Sequence, residues 1–459
     1  MQSPRFYMAL WAAKGAVPLL KLTRHKATNF PGKLAIKLCP DFFARLAKPE
    51  SIIAVTGTNG KTTVSNLLCD ALEKDGKPVL NNRYGSNIES GIATALLDGV
   101  SLGGRCRRKL AVIEVDERSA PKIFPYLTPE ITVITNLFRD SIMRNAHPQY
   151  IADILTRWLP AGCRVVTNAD DLIAAAVAPE NPHVYYGLGP MEGDTVECIN
   201  LINDMRVCPR CGGALEYEYR RYHHVGRARC AECGFASPAC DYLGTEVNTE
   251  TREMTVHIGE KAYPCRLMSD SHFNAYNSIA AIAALAEFGL PAEEAVQRVS
   301  DARIVSSRHN EEDVGNIRLI MQMAKEKNAL ACSRAFDYST LRPGNKELFL
   351  MMNCLGDVQH WSENVSWLYD CDFEFLTRPG ISQIVCTGAR CLDYRLRLLF
   401  AGVPEDKIVC EEDEFKAAEL LNYTPGDHIY MFYGTDSLTR AYKVREKIAA
   451  LATEAAHEA

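Results

Sequence analysis

The chain has 459 residues, of which 47% are hydrophobic and 24% are charged, and its formal net charge is −6. This length is too great for one hydrophobic core and predicts about two or three domains. The composition is typical of a soluble globular protein. The acidic balance argues against sequence-independent binding to nucleic acid, and no apolar run approaches the ~20 residues needed to span a bilayer.

Residues 1–48 precede the first predicted strand. Two apolar runs, 8–13 and 16–20, are interrupted by Lys14 and Pro18 and are not followed by a small-residue cleavage site. This pattern does not predict a signal peptide. We expect a short helix or hairpin that packs against the first domain.

A phosphate-binding loop is the strongest signal in the sequence. The apolar run 51–54 leads into Val-Thr-Gly-Thr-Asn-Gly-Lys-Thr-Thr at 55–63. In a strand–turn–helix unit of this kind, backbone N–H groups face phosphate oxygens, lysine supplies a charge and a threonine hydroxyl can ligate Mg²⁺. This motif resembles the phosphate-binding loop of ATP-dependent amide ligases of the Mur and folylpolyglutamate type. The predicted ATP-binding residues here are Gly57, Thr58, Asn59, Gly60, Lys61, Thr62 and Thr63.

Strands and helices then alternate, which predicts an α/β fold with a parallel sheet covered on both faces. The apolar runs 109–114, 131–136 and 164–168 end in acids or amides. Such side chains lie at the same sheet edge as the phosphate loop, where they can hold Mg²⁺ and order a nucleotide. Glu114 is the best candidate ligand, and the alternative is a solvated carboxylate at a strand end.

Seventeen cysteines are present, and most are scattered singly, as expected of small buried side chains in a reducing cytosol. Four differ, because they form two Cys-x₂-Cys pairs that are each followed by glycine: Cys208, Cys211, Cys230 and Cys233. This spacing predicts a closed, structural Zn²⁺ ribbon inserted at about 200–240. Other possible ligands, which we expect to be bystanders on the ribbon hairpin, are Cys240, His223 and His224.

After the ribbon, a helix with a strong apolar face is predicted from residue 271, with Asn274 and Asn277 one turn apart at its start. A second α/β unit begins within 305–345. Its predicted strands lie at 347–352, 383–387 and 428–432.

Several motifs together resemble one family. They are the segment 29–42, Ser86-Asn87, Glu114-Val-Asp-Glu117, Thr135-Asn-Leu-Phe-Arg-Asp140, the four-cysteine ribbon, Phe-Asn-x-Tyr-Asn at 273–277 and Val-Ser-Trp-Leu-Tyr-Asp at 365–370. The chain resembles the MurT family, the Mur-ligase-like subunits of lipid II isoglutaminyl synthase. Only about fifty residues precede the loop, which is too few for the UDP-binding domain of the Mur ligases that add amino acids.

The resemblance implies three parts: an N-terminal packing segment at 1–48, a Mur-ligase-type central ATP-binding domain at 49–305 that carries the ribbon, and a Rossmann-like α/β C-terminal domain at 306–459. It implies that ATP activates the α-carboxylate of D-glutamate in lipid II as an acyl phosphate. Ammonia would come from a GatD-type glutamine amidotransferase subunit in a heterodimer. ATP, Mg²⁺ and Zn²⁺ are the implied cofactors, and the implied location is cytoplasmic, peripheral at the inner face of the membrane.

The resemblance also assigns roles to residues. Lys61 would neutralise the transferring phosphoryl group, while Thr62 and Glu114 would hold Mg²⁺. Contacts to the nucleotide beyond the loop are expected from Asn274, Asn277 and Arg308. For Arg308 the alternative is a surface arginine near a linker.

In this family the C-terminal domain lends an aspartate to the glutaminase histidine and so completes a catalytic triad. The family pattern has aspartate directly before Val-Ser-Trp, where this chain has Asn364. The triad position is therefore either Asn364 or Asp370. If it is Asn364, coupling to the glutaminase subunit would be weak or would use another acid such as Glu363.

Two other functions compete with amidation. One is a stand-alone ligase that adds an amino acid to a carboxylate, which needs neither the ribbon nor a glutaminase. The other is a zinc-ribbon nucleic-acid binder that uses ATP as a switch. The acidic balance argues against the second, as does the lack of a basic aromatic run outside residues 217–224.

Overall fold

The computed structural model describes residues 2–458 except 24–26, 75, 77, 84–85, 140–146, 270, 303–308, 325–327, 353–364 and 435–436. The chain divides into two units. The first comprises Met1–Phe138, His147–Ile199 and Asn203–Ile304, and the second comprises Arg139–Ala146, Asn200–Ile202 and Val305–Ala459. In the part of the chain described, no helix is long and apolar enough to cross a membrane.

The N-terminal segment forms three helices, so the expectation of one short helix or hairpin is wrong. They are α1 (Pro4–Leu22), α2 (Phe30–Leu38) and α3 (Phe42–Arg45). The Ser3 hydroxyl accepts the Phe6 N–H and caps α1, whose first residue is proline. The helix continues through Lys14 and includes Pro18, because one buried face holds it on the core of the central sheet.

The first unit is built on one large sheet. Its strands are β1 (Ser51–Thr56), β2 (Leu80–Asn81), β3 (Leu110–Glu114), β4 (Ile131–Ile134), β5 (Arg164–Asn168), β6 (His183–Leu188), β9 (Tyr242–Asn248), β10 (Glu253–Ile258) and β11 (Lys261–Arg266). A separate hairpin consists of β7 (Leu215–Tyr222) and β8 (Val225–Cys230). The helices that follow α3 are α4 (Lys61–Glu73), α5 (Glu89–Gly99), α6 (Ala120–Ile123), α7 (Pro148–Trp158), α8 (Leu172–Ala175), α9 (His272–Glu287) and α10 (Ala292–Ser300).

The order of the described strands in this sheet is β11-β10-β9-β6-β5-β4-β1-β3-β2. The α/β prediction is confirmed, and β1 to β6 and β9 pair in parallel. One edge of the sheet departs from the predicted parallel pairing, because β9, β10 and β11 pair antiparallel there. Tight turns join these strands, and Gly259 supplies a φ of +58° between β10 and β11.

The second unit has a smaller sheet of the same class. Its strands are β12 (His309–Val314), β13 (Ile317–Met323), β14 (Lys346–Met351), β15 (Ile381–Thr387), β16 (Ile408–Glu411) and β17 (His428–Tyr433), in the order β12-β13-β17-β14-β15-β16. Only β12 is antiparallel among these described strands. Its helices are α11 (Ala329–Leu341), α12 (Cys391–Ala401), α13 (Glu414–Ala418) and α14 (Leu438–Glu458), and they form two cores on opposite faces of the sheet.

Candidate nucleotide site and metal centre

The loop between β1 and α4 depends on two glycines that no other residue could replace without strain. Gly57 has a φ of +121°, and a Cβ there would lie 2.2 Å from Thr135 Oγ1. Gly60 has a φ of +87°, and its added Cβ would lie 2.3 Å from Asn277 Oδ1. The backbone thus turns tightly into the N-terminus of α4, where N–H groups are free of helical partners and suit an anion.

Asn136, at the end of β4, braces this loop from the side. Its Oδ1 accepts the Asn59 N–H at 3.0 Å, and its Nδ2 donates to the Asn59 carbonyl at 2.9 Å. Its own carbonyl accepts the Thr58 N–H at 2.8 Å. The sequence places Asn136 among candidate nucleotide or Mg²⁺ contacts, whereas the structure uses both ends of its amide to hold the loop.

Thr62 and Glu114, the two predicted Mg²⁺ ligands, lie together. Thr62 Oγ1 donates to Glu114 Oε2 at 2.9 Å, and Asn87 Nδ2 donates to Oε1 at 3.0 Å. Asn82 holds the Glu114 backbone through two hydrogen bonds, both 2.9 Å long. Both carboxylate oxygens are therefore held by protein groups, unlike those of a solvated acid. Hard oxygen donors of this kind fit Mg²⁺.

Lys61 is folded back onto the loop and forms an ion pair. Its Nζ lies 3.2 Å from Glu117 Oε1 and also donates to the carbonyls of Gly57 and Thr58. Burial disfavours the ammonium, but Glu117 and Glu114 outweigh burial and raise the pKa of Lys61. Lys61 is consequently charged at neutral pH. Sequence reasoning quoted Glu117 only within a motif and missed this pairing.

The two asparagines of α9 form a hydrogen-bonded series beside the loop. Asn277 Nδ2 donates to Asn274 Oδ1 at 3.1 Å, and Asn274 Nδ2 donates to Ser269 Oγ at 2.5 Å. Because Asn277 lies against Gly60, this series is next to the start of α4. Arg308 lies outside the described residues.

The four predicted cysteines converge on one point. The Cys208 and Cys233 sulfurs are 3.6 Å apart, those of Cys211 and Cys230 are 3.5 Å apart, and all four lie within 4.8 Å of one another. In a tetrahedral site with Zn–S bonds of ~2.3 Å, sulfurs are separated by about 3.8 Å. The cluster therefore fits a four-coordinate Zn²⁺ ion.

The turns around these cysteines explain their geometry. Gly212 and Gly234 adopt φ values of +80° and +70°, so each pair closes through a left-handed residue. The N–H groups of Arg210 and Gly213 point at the sulfurs of Cys208 and Cys211, both at 3.4 Å. These donors stabilise thiolates, the form that binds metal.

The other candidate ligands do not join the cluster. Among the described residues, the grouping that could hold a metal consists of the four cysteines alone. His224 Nε2 instead lies 3.1 Å from Asp171 Oδ1. On the neighbouring acid, Asp170 Oδ2 accepts the Tyr276 hydroxyl at 2.7 Å and lies 3.9 Å from Arg221. These contacts dock the ribbon hairpin onto the end of β5. Sequence reasoning missed this arrangement, although two acids, Asp170 and Asp171, follow that strand closely.

In the second unit, Asp370 ends a 3₁₀ turn, Ser366–Tyr369, and lies 3.9 Å from Arg139 Nη1. Asp372 is buried and accepts from the Asn200 amide at 2.8 Å and from the Leu201 N–H. Asp372 is therefore part of the packing of this unit. Asn364 lies outside the described residues.

Comparison with known families gives two matches along the chain. Residues 55–195 match the Mur ligase middle domain, and residues 326–435 match the MurT ligase C-terminal family. The MurT subunit of lipid II isoglutaminyl synthase (glutamine-hydrolyzing) from Staphylococcus aureus strain COL is 29% identical over 91% of this chain and 93% of its own length. The Streptococcus pneumoniae R6 subunit is 30% identical over 83% and 84%.

Solved structures show the same fold. A pseudomurein peptide ligase type C from Methanothermus fervidus is 20% identical, with a TM-score of 0.66 over 89% of this chain and 81% of its own. MurF from Acinetobacter baumannii is 16% identical, with a TM-score of 0.61 over 91% and 80%. At these identities the likeness establishes the Mur-ligase-type architecture.

Proposed function

Because the chain belongs to the MurT family of the Mur ligase superfamily, we propose that it is the ATP-dependent amidating subunit of a lipid II isoglutaminyl synthase. Its product would be D-isoglutamine in the lipid II stem peptide, during peptidoglycan synthesis. The observation that carries the proposal is the similarity to MurT subunits over 91% of the chain, since it spans both units.

The proposed reaction has two steps. An α-carboxylate oxygen attacks the γ-phosphorus of ATP, and ADP leaves. Ammonia then attacks the acyl carbon, the carbon–oxygen bond breaks, and phosphate leaves with one former carboxylate oxygen while the nitrogen loses a proton. A carboxylate becomes a good electrophile only after the first step. The protein's task is therefore to position the reactants and to offset charge.

The described residues suit that task. Lys61 would exchange Glu117 for the transferring phosphoryl group, and the loop N–H groups would hold the other phosphates. Thr62 and Glu114 would hold Mg²⁺, which when bound offsets phosphate charge. The cysteine cluster would hold Zn²⁺ in a structural role, because four thiolates leave no open position.

We further propose a GatD-type glutaminase subunit as the source of ammonia and a cytoplasmic site of action. The relatives are named as subunits of a glutamine-hydrolyzing synthase. An acid from the second unit would orient the glutaminase histidine. Among the described acids, Asp370 is the better candidate for this role, because its side chain is 20% exposed. The carboxylate of Asp372 is instead engaged in hydrogen bonds within the unit.

The decisive experiment supplies lipid II, MgATP and either ammonium chloride or glutamine to the purified chain, with and without the co-expressed glutaminase. Mass spectrometry should show one carboxyl group converted to a carboxamide. Ammonium should support the reaction by the chain alone, and glutamine only with the partner. Hydroxylamine should trap the acyl phosphate as a hydroxamate. Incorporation of an amino acid in place of ammonia would instead identify a stand-alone ligase.

A further inference from the structure

Helix α1 has apolar residues on two opposite faces, and only one of them is covered. Its buried face packs on the core through Phe6, Ala9, Leu10 and Ala13. The other face carries Met8, Trp11, Leu19 and Leu22, which are 60%, 54%, 64% and 82% exposed. At 3.6 residues per turn these four fall within an arc of about 80°. We call them the α1 stripe.

The stripe is open along its length. Gly15 lies on the same arc, and a Cβ added there would meet nothing within 4 Å. Trp11 Nε1 donates to the Leu102 carbonyl at 3.0 Å, and Leu102 is itself 63% exposed, so it extends the apolar surface. An exposed helix face is normally polar, and a contiguous apolar one marks an interaction site.

The N-terminal segment that carries the stripe is basic. Residues 1–48 contain nine lysines and arginines but one acid, Asp41, in a chain whose net charge is −6. Asp41 is paired with Arg45 at 2.5 Å. The exposed Lys21 on α1 and the exposed Lys33 and Lys37 on α2 therefore make the N-terminal segment a basic region of an otherwise acidic protein.

We propose that the α1 stripe and these three lysines bind the surface of an anionic membrane. The proposal rests on the proposed function, because lipid II is anchored in a membrane and its peptide must reach the enzyme from there. Tryptophan and leucine side chains insert at the boundary between headgroups and acyl chains. Each nearby lysine strengthens binding to anionic lipid by about fivefold.

The positive charge of the basic region favours an anionic membrane over a second copy of the chain as the partner of the α1 stripe. Two copies joined through the stripe would bring their basic regions together, and like charges at an interface are costly. An anionic bilayer instead offers both an apolar layer for the stripe and negative charge for the lysines.

The test is co-sedimentation of the full chain with vesicles of phosphatidylcholine and phosphatidylglycerol, compared with phosphatidylcholine alone. The variant Leu19→Asp/Leu22→Asp should weaken binding to the anionic vesicles by at least about tenfold, because it places charge in the inserted surface. The variant Lys21→Gln/Lys33→Gln/Lys37→Gln should weaken it by at least about tenfold and reduce its salt dependence. The matched control is Leu392→Asp/Phe400→Asp on α12, whose side chains are 64% and 69% exposed, and it should bind as the wild type does.

The proposal would be overturned if the wild-type protein bound neither kind of vesicle. It would also be overturned if the control variant Leu392→Asp/Phe400→Asp lost as much binding as the α1 variant. If the α1 variant changes the mass of the chain in solution, or releases a protein partner, while vesicle binding is unchanged, the stripe is a protein interface instead. Amidation of a soluble lipid II analogue without vesicles is measured in parallel and should be equal in wild type and variant. Inactivity of both would refute the proposed function and would leave the vesicle result to judge the membrane proposal.

Discussion

The phosphate loop and the cysteine ribbon share one structural device, since in each the backbone turns through two left-handed glycines beside groups that suit a small charged ligand. In the ribbon every ligand comes from one stretch, Cys208–Cys233, and the sulfurs converge within 4.8 Å. The loop is finished by side chains from distant strands and helices, such as Asn136 and Asn277. A site built from one stretch can close around a permanent ion, whereas the proposed ATP site must let its ligand exchange.

The two regions also differ in how they manage charge without a ligand. Four thiolates this close would repel one another, so we expect the ribbon to depend on a cation for its fold. The loop keeps an internal substitute, because Glu117 partners Lys61 where phosphate would otherwise lie. We infer that loss of ligand unfolds the ribbon but leaves the loop formed.

Replacement of the first cysteine pair should have the largest effect. Cys208→Ser/Cys211→Ser is expected to lose the single Zn²⁺ per chain and to unfold the ribbon, because structural zinc contributes on the order of 10 kcal/mol to folding. Metal analysis and thermal unfolding measure both changes. Cys240→Ser is the control and should keep its zinc. A variant that keeps full thermal stability would show that the ribbon does not depend on metal.

Lys61→Met should lower amidation by at least about 10³-fold, because it removes the charge that offsets the transferring phosphoryl group. Burial already raises the pKa of Glu117, so the acid left unpaired can take up a proton and the unit should stay folded. Steady-state rates with ammonium measure the loss. Lys74→Met, at the other end of α4, should stay active, since Lys74 is 40% exposed and pairs with Asp301. Turnover retained by Lys61→Met would contradict the ligase assignment.

Two acids near the loop allow a matched comparison. Glu114→Gln should lower activity by about 100-fold at fixed Mg²⁺ and recover in part at higher Mg²⁺, because a carboxylate ligand is lost. Glu117→Gln should cost less than about tenfold, since Glu117 is expected to part from Lys61 when phosphate binds. Rates measured across a Mg²⁺ titration separate the two. Equal losses with no rescue of Glu114→Gln would remove Glu114 from the metal site.

Features carried by local spacing could be predicted from the sequence. The glycine turns and the α9 helix depend on residues a few positions apart, and the cysteine cluster depends on two Cys-x₂-Cys pairs within one short stretch; the structure places all three as expected. The three N-terminal helices could not be predicted, because tertiary packing carries α1 past Lys14 and through Pro18. The antiparallel edge formed by β9, β10 and β11 was missed as well, since its turn signal at Gly259 was not used.

The residues that hold the candidate site in place could not be predicted from the sequence for another reason. Asn136 meets Asn59 only because β1 pairs with β4. Strand order and register are properties of the whole sheet, and spacing along the chain does not reveal them. The same holds for Asp171 and His224, 53 residues apart in sequence, which dock the ribbon.

A smaller effect than that of Glu114→Gln should come from the hydrogen bonds of Asn136 to the loop, and this effect tests whether distant residues shape the loop. Asn136→Ala removes two hydrogen bonds to Asn59 and should weaken ATP binding by about tenfold, since each is worth roughly 0.7 kcal/mol. Asn136→Asp keeps the acceptor for the Asn59 N–H but loses the donor, so it should fall between alanine and wild type. Calorimetric titration with ATP measures all three proteins. If the alanine variant binds ATP like the wild type, the loop holds its shape unaided, and the contrast with the self-contained ribbon fails.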